Sequence, residues 1–271
     1  NVLGLLGLAL VVFGVALWQL GPDWAALASQ ATSADKPDDE HWRTFAYYGI
    51  ALFGAAMTPY EVFFFSSGGV EEKWTRSDLV TARANVFVGF PLGGLLSLAI
   101  MGCAAVLYLP AGIQVSTLGQ VTLPVAVALG KIGLAIVLVG VFAATFGASL
   151  ETALSCGYTI AQYRGWQWGK FVRPREASRF HIVIIICLLL AVLTLFTAVD
   201  PVLVTEYSVV FAAMALPLTY LPILIVANDP DYVGDLTNGP VRNAVGLIYL
   251  ALLTVASAAA IPLMIITKAG Q

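Results

Sequence analysis

The residues best suited to chemistry lie together as Thr58-Pro59-Tyr60-Glu61, inside an otherwise apolar stretch. Pro59 removes a backbone donor and clashes with the preceding turn. It also disfavours the α region at Thr58. Gly54, Ala55 and Ala56 keep the approach to the proline small. Such a stretch can unwind and leave carbonyl groups free. Inside a membrane, free carbonyls are tolerated only where they line a cavity or bind a ligand. Broken helices of this kind hold ions in secondary transporters. Glu61 adds a carboxylate, which is costly at that depth and faces a pathway or a partner. The plainer reading is a proline kink with Glu61 paired or reaching the surface.

Other polar groups carry weaker signals. Glu151 shares a helical stripe with Ser149, Thr152 and Ser155, but small and hydroxyl residues also serve helix packing. Glu206 lies near the start of an apolar stretch and reads as wetted. His41 and His181 sit at stretch edges without metal-ligand spacing. Asp200-Pro201 reads as a turn. Cys103, Cys156 and Cys187 occupy apolar runs with no CxxC spacing, as small buried residues do.

These groups need elements that hold them in a bilayer. The chain has 271 residues, 59% hydrophobic and 11% charged, against about 25% charged in a soluble protein. A net charge of −3 gives no basic excess for nucleic acid. Seven apolar stretches, at about 2–20, 45–67, 84–109, 125–158, 182–198, 204–227 and 244–267, approach the roughly 20 residues that a spanning helix needs. Helices satisfy their own backbone, and these runs are too long and continuous for barrel strands. The predicted fold class is therefore all-α, a polytopic transmembrane helical bundle forming a single domain over 1–271. The fourth stretch exceeds one span, leaving length to tilt or project.

Lys and Arg orient the chain. Nine lie in the loops after the second, fourth and sixth stretches. Three, Lys36, Arg43 and Lys268, lie in the other loops and the C-terminus, and Lys131 lies within a span. The expected arrangement is a multi-pass protein of the cell membrane, with its start cytoplasmic and its C-terminus outside. The acidic loop at 31–40 and the uncharged loop at 110–123 would then face out. The chain opens on Asn1 within an apolar run, which reads as a chain whose beginning is missing.

Three segments resemble the Nramp family of divalent-metal transporters. Thr58-Pro59-Tyr60-Glu61, followed by Val62 to Ser66, resembles the Met-Pro-His-Asn element of the family's sixth helix. Gly147 to Glu151 and Gly157 to Gln162 are similar to its eighth helix. Leu216-Pro217-Leu218-Thr219-Tyr220-Leu221-Pro222 is similar to its tenth. The shared order and spacing make the resemblance fairly specific. It implies an inverted-repeat fold of the amino acid–polyamine–organocation type, with these stretches as helices five to eleven. It also implies missing N-terminal helices that bear half of the metal site.

By family position the Ala55 carbonyl and the Thr58 side chain face the ion. Glu61, about one turn on, would attract or hold a hydrated cation through water. Pro59, Tyr60 and Glu151, the last standing for a family Gln, would lie on the permeation or gating route. Thr58 replaces a Met whose thioether favours manganese and iron. Hydroxyl, carbonyl and water suit magnesium, calcium and manganese, and magnesium keeps several waters. Tyr60 replaces a histidine linked to proton movement, and a phenol with a pKa of about 10 does not shuttle protons near neutrality. Both departures resemble the Nramp-related magnesium transporters. The expectation is transport of magnesium, and also manganese, without proton coupling. The divalent cation would be substrate, no cofactor would be needed, and a monomer would suffice. The alternatives are a proton-coupled manganese and iron transporter and an amino-acid or organic-ion symporter of the same fold. A membrane enzyme would require a nucleophile or metal cluster that the sequence does not display.

Overall fold

The computed structural model describes residues 2–33, 41–113, 115, 117–197 and 199–268. Residues 34–40 of the acidic loop, with Lys36, lie outside the described residues, as do positions 114 and 116 of the uncharged loop. Among the described residues there is helix and turn but no strand. This bears out the all-α polytopic bundle. Six helical stretches among the described residues are long and apolar enough to cross a membrane.

In chain order the helices are α1 (Val2–Leu20), α2 (Trp24–Thr32), α3 (Trp42–Ala56) and α4 (Pro59–Glu71). There follow α5 (Arg76–Leu107), α6 (Leu123–Arg164), α7 (Ser178–Thr194), α8 (Pro201–Val226) and α9 (Pro240–Ile266). The stretch expected at 45–67 is thus two helices, α3 and α4. The stretch expected at 182–198 is the 17-residue α7, about 25 Å long at 1.5 Å per residue. The short α2 lies in what reads as a loop. Asp23 starts it, its carboxylate accepting from the Ala25 and Ala26 amides at 3.0 and 3.1 Å, an ordinary N-cap. Asp200 does the same for α8, accepting from Val202 at 2.9 Å. Asp200-Pro201 is therefore a helix start, with proline at the first position, where no donor is lost.

The chain divides into two compact units. The first comprises residues 1–35 and 64–189, the second residues 36–63 and 190–271. In the first unit α1 packs on α5 and α6, around Phe13, Ala16, Leu17, Cys103, Val125 and Val137. Gly140 makes this approach possible, since a Cβ there would stand 2.9 Å from Leu10 Cδ2. The long α6 is not continuous: Gly130, at φ 63° and ψ −152°, interrupts it. The fourth stretch is therefore bent near its start rather than one straight helix.

In the second unit α8 packs against α3 and α9, with Tyr47, Val210 and Ala260 buried at the centre. Outward faces are apolar in both units, as with Trp18, Ile132 and Leu218, each more than 70% exposed. A surface this apolar matches lipid rather than water.

Candidate ion site at the helix break

α3 ends at Ala56, and Met57 leaves the helix at φ −140° and ψ 85°. Thr58 is also non-helical, and α4 restarts at Pro59. The cause is covalent. In a continuous helix the Ala55 carbonyl would accept from the amide four residues on, but that residue is Pro59, which has no N–H. The restarted helix opens with the Glu61 amide donating to the Thr58 carbonyl at 3.1 Å. Gly54 lets the break lie close against α8. A Cβ on Gly54 would stand 2.5 Å from the Val209 carbonyl oxygen and 2.9 Å from Ala213 Cβ.

The break brings together Ala55, Thr58, Pro59, Tyr60 and Glu61. Thr58 is half-buried, and its Oγ1 is one of two buried side-chain oxygens without a hydrogen-bond partner among the described residues. A buried hydroxyl left unmatched costs about 1–3 kcal/mol, so such a group points to a ligand or ordered water. Glu61 and Ala55 are exposed, and Pro59 and Tyr60 are half-buried. Oxygen-bearing groups at the break include the Ala55 carbonyl, the Thr58 and Tyr60 hydroxyls and the Glu61 carboxylate. Among the described residues no three His, Cys, Asp or Glu side chains gather as a metal cluster.

Glu151 belongs to the first unit, whereas Thr58 and Glu61 belong to the second. Its stripe is less available than the sequence suggests. Ser149 donates to the Phe146 carbonyl and Thr152 to the Ala148 carbonyl, both at 2.8 Å. Their protons are thereby committed to their own helix, which leaves the oxygens only their lone pairs to offer. His181 Nδ1 lies 2.9 Å from the Ala177 carbonyl, and His41 is an exposed residue preceding α3.

Sequence reasoning missed Met57 and its surroundings. Within the second unit, the Tyr249 hydroxyl donates to the Met57 sulfur. The Tyr249 ring meets Tyr220 edge-on at 5.2 Å and Phe53 at 6.3 Å. Met57 directly precedes the Thr-Pro motif and was legible as a neighbour. Nothing local pairs position 57 with position 249.

Sequence reasoning also missed how the far end of α4 is held in the first unit. Glu71 accepts from the Tyr158 hydroxyl at 2.5 Å and from the Phe171 amide at 2.8 Å. Gln162 donates to Ser67 at 2.9 Å, and Lys170 pairs with Glu72 at 2.7 Å. The Lys170 hydrogen bond, helped by one from Trp74, holds the Glu72 carboxyl below its ordinary range. These contacts join the loop after the second predicted stretch to the loop after the fourth, so both lie on one side. An even number of crossings between them requires this.

The profile described as "Natural resistance-associated macrophage protein-like" matches residues 1–262. No curated protein matches the chain.

Proposed function

The chain belongs to the Nramp family, whose members are transporters of divalent metal cations rather than enzymes, and from that premise we propose that it carries magnesium, and also manganese, without proton coupling. The observation that carries this reading is Thr58. Its hydroxyl is buried at the break without a hydrogen-bond partner among the described residues, where the family's motif has a thioether. Hard oxygen donors suit magnesium and manganese, and a soft thioether suits cadmium or iron better. The Ala55 carbonyl, relieved of its helical donor by Pro59, supplies the second oxygen. Glu61, exposed one turn on, attracts a cation that keeps part of its water shell, as magnesium does. Tyr60 stands where a titrating imidazole would, and a phenol does not exchange protons near neutrality. We further assign the helices to an inverted-repeat transporter fold, in which a broken helix supplies ion ligands at mid-membrane. The start of the chain would be cytoplasmic.

The test is flux in proteoliposomes. Magnesium uptake should proceed without acidifying the interior. No magnesium flux beside clear manganese-driven proton flux would overturn the reading. Thr58→Met should raise the preference for cadmium or manganese over magnesium by roughly tenfold. An unchanged selectivity profile would mean that Thr58 does not face the ion. A proton-coupled manganese and iron transporter is the second reading, favoured by the Met57 thioether one residue before Thr58.

A further inference from the structure

That thioether raises a question of its own. A methionine at the break would draw soft ions if its sulfur were available. In the second unit it is engaged elsewhere, and the group that engages it lies on another helix. We infer that Tyr249 is a specificity-determining residue, whose hydroxyl holds the Met57 sulfur and so keeps a soft donor out of the ion's coordination. The inference rests on the ion site proposed at the break.

Three observations support it. First, the backbone separates the two side chains. Met57 lies outside the helical region, at φ −140° and ψ 85°, so its side chain no longer follows the face it would take in a continuous helix. Met57 is turned toward α9, where Tyr249 donates to its sulfur, whereas the Thr58 hydroxyl has no hydrogen-bond partner among the described residues. Thioether sulfur is a weak acceptor, so the bond works only if the tyrosine is already in place.

Second, Tyr249 is held in place. Its ring packs edge-on against Tyr220 of α8 and tilted against Phe53 of α3. Aromatic pairs at such separations prefer these tilted and edge-on arrangements. Phe53 lies one turn before Met57, so the same helix that ends at the break also steadies the ring.

Third, α8 and α9 approach closely because Gly246 lies one turn before Tyr249. A Cβ there would stand 2.8 Å from Leu224 Cδ1 and 3.4 Å from the Tyr220 hydroxyl. The close approach brings Tyr220 against Tyr249. Methionine is otherwise long and adaptable, so without the phenol its sulfur has freedom to swing toward the ion.

The experiment reads cadmium and magnesium affinity by titration calorimetry on the full chain in detergent. Tyr249→Phe keeps the ring and removes only the hydroxyl. It should raise cadmium affinity about tenfold, the scale of outer-shell effects on metal sites, with magnesium affinity unchanged. Adding Met57→Leu to Tyr249→Phe should abolish the gain. No gain in Tyr249→Phe, or a gain that survives Met57→Leu, overturns the inference. A measurement on the unaltered protein guards against a misfolded variant. The chain has four methionines, so the Met57 methyl resonance is assignable by NMR. Saturating cadmium should leave that resonance in place, and a cadmium-induced shift of it overturns the inference. Absence of magnesium flux in proteoliposomes would instead sink the transport reading, and the cadmium titration would still report on Tyr249.

Discussion

At the scale of single residues, Gly54 and Gly49 lie on the same helix and do different work. A Cβ on Gly49 meets nothing within 4 Å, whereas one on Gly54 would run into the backbone of α8 at Val209. Gly49→Ala should therefore be neutral or slightly stabilising, since alanine is the better helix former by about 0.5–1 kcal/mol. Gly54→Ala should cost about 1–3 kcal/mol, because the two helices must move apart. Thermal melting in detergent checks both, and equal melting temperatures would mean that α3 and α8 do not meet at Gly54. At the break that follows, the Thr58 hydroxyl is buried without a hydrogen-bond partner among the described residues.

At the scale of elements, α4 is free of its own helix at one end and tied down at the other. Pro59 severs it from α3, and Glu71 and Glu72 fasten its end to α6 and to the loop that follows. The Glu72 carboxyl is held low chiefly by Lys170, so the charged form is favoured in the folded state. A lowered folded value adds stability above the ordinary glutamate value of about 4.3, and that stability is lost as pH falls through the folded value. Lys170→Met should remove this part of the acid dependence and leave melting near neutral pH little changed, since exposed ion pairs contribute about 0–1 kcal/mol. Melting measured from pH 7 downward checks it. An unaltered acid limb in Lys170→Met would mean that the pair is not kept in solution.

At the scale of the whole molecule, the topology has a direct test. Lys73 and Arg175 lie in the loops that the Glu71, Glu72 and Lys170 contacts join. Lys73→Cys and Arg175→Cys should react with an impermeant thiol reagent from one side, the cytoplasmic side by the distribution of Lys and Arg. Ala111→Cys should react from the other. The native Cys103 is buried, and Cys156 and Cys187 are half-buried, so background labelling is low. Labelling of Ala111→Cys from the same side as Arg175→Cys would overturn the arrangement.

Hydropathy and backbone chemistry act over a few residues, and what depends on them was legible in the sequence. The apolar runs dictated helices because a bilayer offers the backbone no other partner. The break at Thr58 followed from one missing N–H at Pro59, and the approximate ends of most helices followed from the same local signals. The interruption at Gly130 was not read, because a glycine inside a helical pattern is compatible with a straight helix until its dihedrals are known. Partnerships across the fold depend on which helix lies beside which, and sequence spacing carries no record of that. The tertiary structure alone decided that Met57 turns to Tyr249, 192 residues away. It alone decided that Tyr158 and Phe171 hold Glu71. The position of the break was therefore a covalent matter, and which of its donors remain unspent was a matter of packing.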